Sequence, residues 1–340
     1  MTDKRLVDTA RAMVAPNRGI LAADESSGTI KKRFDSIGVE STEETRRAYR
    51  DLLFTAPGVE DYISGVILYD ETIRQSGLDG TPFPKLLESR GIIPGIKVDL
   101  GAKDLPFAPG ETITEGLDGL RERLAEYAEL GARFTKWRAV ITIGPSIPSY
   151  ACVSTNAHAL ARYAALSEEA GLVPIVEPEV LMDGDHTIDR CDEVTKFTLQ
   201  QVFEQLYYQR VSLEGMCLKP NMVLSGKGAA EQAGVQEVAE RSIACFRDVV
   251  PSAVPGIVFL SGGQSDEDAT AHLNAMNQMG PHPWELSFSY GRALQAPALK
   301  AWKGDTAKVE AAKKAFAHRA KMNGLARTGS YKPDLEQQVA

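Results

Sequence analysis

Apolar, β-branched runs recur along the chain and each gives way to a polar residue: GILAAD (19–24), SGVILYD (64–70), GIKVD (95–99), FTKWRAVI (134–141), VPIVEPEV (173–180), MCLKPNMV (216–223), GIVFLSGG (256–263) and ELSFSYG (285–291). These runs predict eight short strands. The segments between them carry helical signals. Residues 41–56 open with Ser41-Thr42-Glu43-Glu44, the pattern of a capping box, and residues 115–130 set Leu117, Leu120, Leu124, Tyr127 and Leu130 on one stripe. Gly131 and Gly171 stand where helix C-caps are expected. Strands apolar on both faces and alternating with helices predict a parallel sheet. Eight such units predict an α/β fold of the closed (β/α)8 TIM-barrel type rather than an open doubly wound sheet. After the first strand, Asp24-Glu25-Ser26-Ser27-Gly28 lacks the G-x-G-x-x-G pattern of dinucleotide sites. The expected organisation is a single barrel domain over residues 1–340. Residues 1–18 form an N-terminal helical extension, and residues from about 322 to 340, polar and without a clear period, form a flexible C-terminal tail.

Composition narrows the function classes. With 340 residues, 43% hydrophobic and 25% charged, the chain can bury a large core. Its net charge of −8 and lack of a long basic block predict no nucleic-acid and no anionic-membrane partner, so cations for an anionic ligand must be gathered locally. Asp3, Lys4, Arg5, Asp8 and Arg11 interrupt any apolar run at the N-terminus, and the expected location is cytoplasmic. Cys152, Cys191, Cys217 and Cys245 form no CxxC pair and read as buried thiols in a reducing compartment.

In a barrel the chemistry belongs to the C-terminal strand ends. Those ends offer Asp24, Asp70, Lys97 with Asp99, Lys136 with Arg138, Glu177 with Glu179, Lys219 with Asn221, Ser261 and Ser289. The period of two puts the paired residues of each strand on one face. Solvated strand ends are the plain alternative for any single pair; three successive strands with the same pattern after apolar runs weaken it. Pro178 and Pro220 predict that their strands leave the ladder there. Strand 5 would set Glu177 between Lys136 and Lys219. A lysine of ordinary pKa is neutral in only about one molecule in 2,500 at pH 7. Burial and a neighbouring cation lower that pKa toward roughly 7 to 8 in catalytic lysines, so that a free amine can attack a carbonyl and form a Schiff base. Spacing leaves both lysines as candidates. Met216, Cys217, Leu218, Met222 and Val223 give Lys219 the more apolar surroundings, while Lys136, near Arg138 and beside Trp137, suits a fixed cation. Glu177 would be the acid/base; a structural lysine paired with Glu177 or Glu179 is the bland counterpart.

Glycines at the ends of strands 7 and 8, in Ser261-Gly262-Gly263-Gln264-Ser265 and Ser289-Tyr290-Gly291-Arg292, would let backbone N–H groups approach an anion, with Arg292 as a cation. Barrel enzymes frequently hold phosphate at these loops. Lys32, Arg33 and Lys97 could take a second phosphate across the mouth.

The motifs ILAADES, GIKVD, KWR, VPIVEPE, LKPNMV, FLSGGQS and FSYGRALQ together resemble the class I, Schiff-base fructose-bisphosphate aldolases, from about Arg18 to about Tyr331. The resemblance implies Lys219 as the Schiff-base lysine and Glu177 as the main acid/base, with Glu179 beside it. It implies that Asp24 and Lys136 orient and stabilise charge around the C3 and C4 hydroxyls, with Arg138 nearby as a substrate-binding residue. Ser261, Gly262, Gly263, Ser289, Gly291 and Arg292 match the site for one phosphate; Ser26, Thr29, Lys32, Arg33 and Lys97 fall where the family contacts the other. The implied reaction is reversible cleavage of fructose 1,6-bisphosphate, in glycolysis and gluconeogenesis, with no metal and no cofactor. The implied partners are small-molecule sugar phosphates and further copies of the chain in a homotetramer. Animal members end in a tyrosine implicated in protonating the enamine, whereas this chain ends Gln337-Gln338-Val339-Ala340; proton exchange at C3 is therefore expected to depend weakly on residues 332–340. Two rival readings remain: a metal-dependent lyase using Glu177, Glu179, Asp183, Asp185 and His186, and a silent scaffold barrel. Sequence does not choose between fructose 1,6-bisphosphate and fructose 1-phosphate.

Overall fold

The structure is a computed structural model that describes residues 3–337. Eight parallel strands close into a barrel, each paired with its sequence neighbours and the last with the first. They are β1 (Gly19–Ala22), β2 (Ile63–Leu68), β3 (Ile93–Lys97), β4 (Phe134–Ile141), β5 (Val173–Val180), β6 (Cys217–Leu218), β7 (Gly256–Phe259) and β8 (Glu285–Tyr290). The expected (β/α)8 barrel is therefore present.

Among the described residues twelve α-helices surround or cap it. In chain order α1 (Lys4–Met13) precedes β1, α2 (Ser27–Asp35) and α3 (Glu43–Phe54) follow it, and α4 (Asp70–Ile73) with α5 (Phe83–Ser89) follow β2. The next five strands are followed by α6 (Leu120–Glu129), α7 (Tyr150–Glu169), α8 (Ile188–Tyr208), α9 (Val235–Val249) and α10 (Asp266–Gln278). After β8 come α11 (Arg292–Trp302) and α12 (Val309–Ala326). Gly131 and Gly171 do lie just past α6 and α7 with φ of +105° and +75°, a region that only glycine enters without strain. The box at α3 is shifted by one residue from the Ser41 reading. Thr42 caps the helix, its hydroxyl accepting the Thr45 N–H at 3.1 Å, and Thr45 Oγ1 accepts the Thr42 N–H at 2.9 Å. A threonine hydroxyl does here what the glutamate was expected to do.

The barrel interior divides into two layers. Toward the N-terminal end, Ile20, Ala22, Ile67, Phe134, Val173, Ile175, Cys217 and Val258 pack with Leu6, Ala10 and Met13 of α1, so the N-terminal helix plugs the bottom. Burying each such aliphatic side chain is worth about 1.5–3 kcal/mol. Phe134 fills the layer because its neighbours are glycines: a β-carbon on Gly95 would lie 2.3 Å from its ring. The larger core lies between strands and helices, and all four cysteines are buried free thiols.

Two further differences from the sequence reading are local. A hairpin pairing Ala102–Asp104 with Thr112–Thr114 lies between β3 and α6, and its first strand is wholly exposed, so no hydrophobic alternation announces it. The expected tail boundary at about 322 falls inside α12, which runs to Ala326. Beyond it Tyr331 is buried and donates to Glu336 Oε1 at 3.0 Å, while Glu336 also meets Arg319 and His318. A polar, aperiodic sequence is held here by one buried arginine and its carboxylate. Residues 338–340 of the expected tail, and 1–2 of the expected N-terminal extension, lie outside the described residues.

Candidate active site

The strand register explains why charges meet at the C-terminal mouth. Phe134 and Lys136 are two apart on β4, Ile175 and Glu177 on β5, and each pair points the same way: the first into the apolar layer, the second into the layer above. Arg138 is opposite Glu177 in register, Lys97 is opposite Lys136, and Val176 is opposite Leu218. The Lys219 N–H donates to Val176 O at 2.8 Å, one residue beyond the end of β6, and so Lys219 enters the barrel beside Glu177.

Glu177 does lie between the two lysines. Its Oε1 is 3.1 Å from Lys219 Nζ and its Oε2 is 3.3 Å from Lys136 Nζ. Lys136 Nζ is also 2.7 Å from Asp24 Oδ2. Lys136, Glu177 and Lys219 are buried, at 3%, 3% and 4% exposure. Burial alone would discharge the carboxylates, but the Lys136 and Lys219 ammonium groups outweigh it and hold Asp24 and Glu177 below the usual carboxylate range. Burial likewise opposes the charge of Lys136. The Asp24, Glu177 and Asp99 carboxylates overcome that and raise its pKa above the ordinary lysine value.

A second tier supports this cluster. Arg138 pairs through Nε with Glu179, and its backbone N–H donates to Asp99 Oδ2 at 3.2 Å. Asp99 also takes Lys97 Nζ at 3.0 Å and the Gly101 N–H at 3.1 Å. On the other side, buried Glu25 pairs with Arg33, with Arg50 at 2.5 Å and with Gln295 Nε2 at 2.8 Å. Glu25 thereby ties the loop after β1 to α2, α3 and α11.

Apart from Arg50 and Gln295, which lie behind Glu25, these groups line one cavity of about 640 Å³ at the barrel mouth. Of the expected site residues, Asp24, Ser26, Thr29, Arg33, Lys97, Lys136, Arg138, Glu177, Glu179, Lys219, Ser261, Gly262, Gly263, Ser289, Gly291 and Arg292 all border it. Lys32 does not: it lies exposed on α2, one position round from Arg33, and a helix cannot aim consecutive side chains at one point. Asn221 is also turned away. β6 ends at Leu218, so the period of two stops there, and Asn221 accepts the Val180 N–H at 3.1 Å and donates to Thr195 of α8 at 3.0 Å.

The glycine turn after β7 has Gly262 and Gly263 at φ +57° and +96°. Ser289 Oγ beside it is buried without a hydrogen-bond partner, and Arg292 opens α11. Unpartnered hydroxyl, turn amides, helix N-terminus and guanidinium make a receptor for an oxyanion. The proposed metal cluster is not assembled: Glu177 and Glu179 are engaged by cations and Asp183 by Lys227 at 2.7 Å. Among the described residues no group of three or more His, Cys, Asp or Glu is set to hold a metal ion.

Sequence reasoning passed over Glu25, Arg50, Gln295 and Lys227. The adjacent carboxylates Asp24 and Glu25, and the glycines flanking Lys227, were the available signals.

Comparison with known proteins agrees with this geometry. Residues 5–340 match the family model for class-I fructose-bisphosphate aldolase. A probable fructose-bisphosphate aldolase class 1 of Xanthomonas campestris pv. campestris is 61% identical over 333 residues, 98% of this chain and 100% of that protein. The cytosolic fructose-bisphosphate aldolase 4 of Arabidopsis thaliana is 51% identical over 332 residues, 97% of this chain and 84% of that one. The solved structure of fructose-bisphosphate aldolase from Plasmodium falciparum superposes with a TM-score of 0.96 at 48% identity, covering 97% of this chain and 95% of that one. A match this long, on a barrel whose mouth gathers two lysines around one glutamate, has one consequence: the chain belongs to the class I fructose-bisphosphate aldolase family.

Proposed function

We propose that this barrel cleaves fructose 1,6-bisphosphate reversibly into dihydroxyacetone phosphate and glyceraldehyde 3-phosphate through a Schiff base on Lys219. The observation that carries the choice of nucleophile is the unequal sharing of carboxylates. Lys136 stands between Asp24 and Glu177 and is held protonated, whereas Lys219 has one carboxylate, Glu177, in direct ion-pair contact. A permanent ammonium cannot attack a carbonyl; an amine that can hand its proton to one adjacent carboxylate can.

Glu177, a carboxylate in the resting site, takes a proton from Lys219 as the nitrogen attacks C2. It returns that proton to the carbinolamine oxygen, which leaves as water. The resulting iminium draws the electrons of the C3–C4 bond as the C4 hydroxyl passes its proton to Glu177, by then a carboxylate again, and the aldehyde departs. The enamine left behind takes a proton at C3, and water releases the ketone from Lys219. Lys136 stabilises negative charge on the substrate oxygens, Asp24 holds Lys136 in place, and Glu179 orients Arg138. Ser261, Gly262, Gly263, Ser289, Gly291 and Arg292 take one phosphate; Ser26, Thr29, Arg33 and Lys97 take the other. The scheme as written invokes no cofactor.

Borohydride added with fructose 1,6-bisphosphate, and in parallel with fructose 1-phosphate, is expected to fix mass on Lys219, read by peptide mass spectrometry, and a chelator to leave activity intact. Activity lost to the chelator with no adduct formed overturns this reading. The two sugars compared side by side set the substrate preference.

We place the chain in the cytoplasm, where its Arabidopsis thaliana relative is said to act, as a single domain over residues 1–340 assembled into homotetramers. The exposed Tyr150, Tyr207 and Tyr208 offer apolar area for such contacts, and light scattering reads the assembly.

A further inference from the structure

Lys227 lies in the loop after β6, outside every motif that carries the family resemblance, yet its side chain borders the mouth cavity. Its backbone is firmly placed. The Lys227 N–H donates to Met182 O at 2.8 Å, and the N–H groups of Gly226 and Gly228 on either side donate to His186 O and Gly184 O, each at 2.8 Å. The crossing is tight enough that a β-carbon on Gly226 would lie 2.6 Å from Gly184 O. The loops after β5 and β6 are thus knitted together, and the Lys227 side chain projects from a fixed base.

Its ammonium reaches the glycine turn after β7. A β-carbon on Gly263 would lie 2.7 Å from Lys227 Nζ and 3.1 Å from Arg292 Nη2, so two cations flank one glycine of the turn. Ser289 Oγ, buried and without a partner, borders the same cavity. Lys227 is meanwhile paired with Asp183 at 2.7 Å, but that pair is open to water, with the two side chains 44% and 62% exposed. Exposed ion pairs contribute little and are readily exchanged. A phosphate dianion enclosed by amides, a hydroxyl and a guanidinium is the stronger partner.

We infer that Lys227 is a substrate-binding residue: its ammonium exchanges Asp183 for the phosphate held by Ser261, Gly262, Gly263, Ser289 and Arg292. Asp183 holds the lysine at the mouth and releases it to the phosphate. The inference deepens the Schiff-base aldolase reading and rests on it for the identity of the ligand, a ketose or ketone phosphate.

The test compares the full-length chain with Lys227→Met, Lys227→Arg and Asp183→Asn, reading dissociation constants for dihydroxyacetone phosphate, unphosphorylated dihydroxyacetone and inorganic phosphate. Lys227→Met is expected to weaken the two phosphate-bearing ligands about tenfold at low salt and less at high salt, with dihydroxyacetone unaffected. Lys227→Arg should stay within about threefold of the parent, and Asp183→Asn should bind phosphate as well or up to about threefold better, because it removes the competing anion. Unchanged phosphate affinity in Lys227→Met overturns the inference. So does an equal loss in Asp183→Asn, which would mark the pair as a loop strut. Borohydride trapping in the parent separates the two readings. If no adduct forms on Lys219 while Lys227→Met still weakens phosphate, the Schiff-base reading falls and the assignment of Lys227 stands.

Discussion

The two ends of one barrel are built from the same strands and solve opposite problems. Two residues apart on β4 and β5, Phe134 gives way to Lys136 and Ile175 to Glu177, and Cys217 at the start of β6 is followed two positions on by Lys219. Below, an apolar layer sealed by α1 has no charge to satisfy and derives its stability from close packing. Above, each buried charge is held by a specific partner: Asp24 and Glu177 on Lys136, Glu177 on Lys219, Glu179 on Arg138. A buried ion pair contributes little net stability against a hydrophobic replacement. The lower layer therefore sustains the fold and the upper layer the chemistry.

Substitution should separate them. Lys219→Met is expected to lower kcat by on the order of 10^4-fold or more, since the covalent step has no substitute, with only a modest loss of thermal stability because buried Glu177 keeps Lys136 as a partner at 3.3 Å. Steady-state cleavage assays and a melting curve on the same sample check both halves. A large loss of stability would show that the mouth also supports the fold. Phe134→Ala makes the reverse case. It opens a cavity against Gly65 and Gly95 and should cost about 3–5 kcal/mol in denaturant unfolding, with kcat at a permissive temperature much less affected.

Acid tests the same division more gently. Burial depresses His272 to about 4, and its Nδ1 meets Gln264 Oε1 at 2.6 Å, while Gln264 Nε2 donates to Ser261 O at 3.0 Å in the turn after β7. A histidine kept neutral in the fold binds its proton only on unfolding, so the unfolded chain holds more protons between the ordinary histidine value and about 4, and stability falls as pH drops through that window. The loss should approach about 3 kcal/mol at the acid end, and His272→Gln should flatten the profile. Asp24 and Glu177 act elsewhere: held below their ordinary values, they contribute stability above the unfolded carboxylate pKa and lose it at lower pH. A profile equally steep in His272→Gln would assign the slope to other groups.

The smallest effect is expected at the tail. Deleting residues 332–340 removes Glu336 from Arg319, His318 and Tyr331 and should cost about 1–2 kcal/mol of stability. Tyr331 is buried away from the mouth cavity, so exchange at C3, followed by tritium or NMR, should change little. A collapse of exchange would give the tail a role in protonating the enamine.

Legibility followed physical range. Strand positions, the parallel barrel and the polar strand ends were readable, because period, β-branching and proline act within a few residues. So were Lys136, Glu177 and Lys219, whose spacing along three neighbouring strands carries them into one layer. Lys32 and Arg33 look equivalent as adjacent cations, and only the helical turn of α2 sends one to the cavity and the other to water. Asn221 looks like a mouth residue until the early end of β6 turns it toward α8. The exposed hairpin strand Ala102–Asp104 has no alternation to detect.

The amino-acid sequence by itself determined the barrel, the apolar lower layer and which strands bear charge, since these depend on local pattern. Only the tertiary structure decided how the charges share partners: two carboxylates on Lys136, one on Lys219, and Lys227 beside Arg292 at Gly263. Such sharing depends on distances of about 3 Å between side chains from different strands and loops, and these exist only once the barrel has closed.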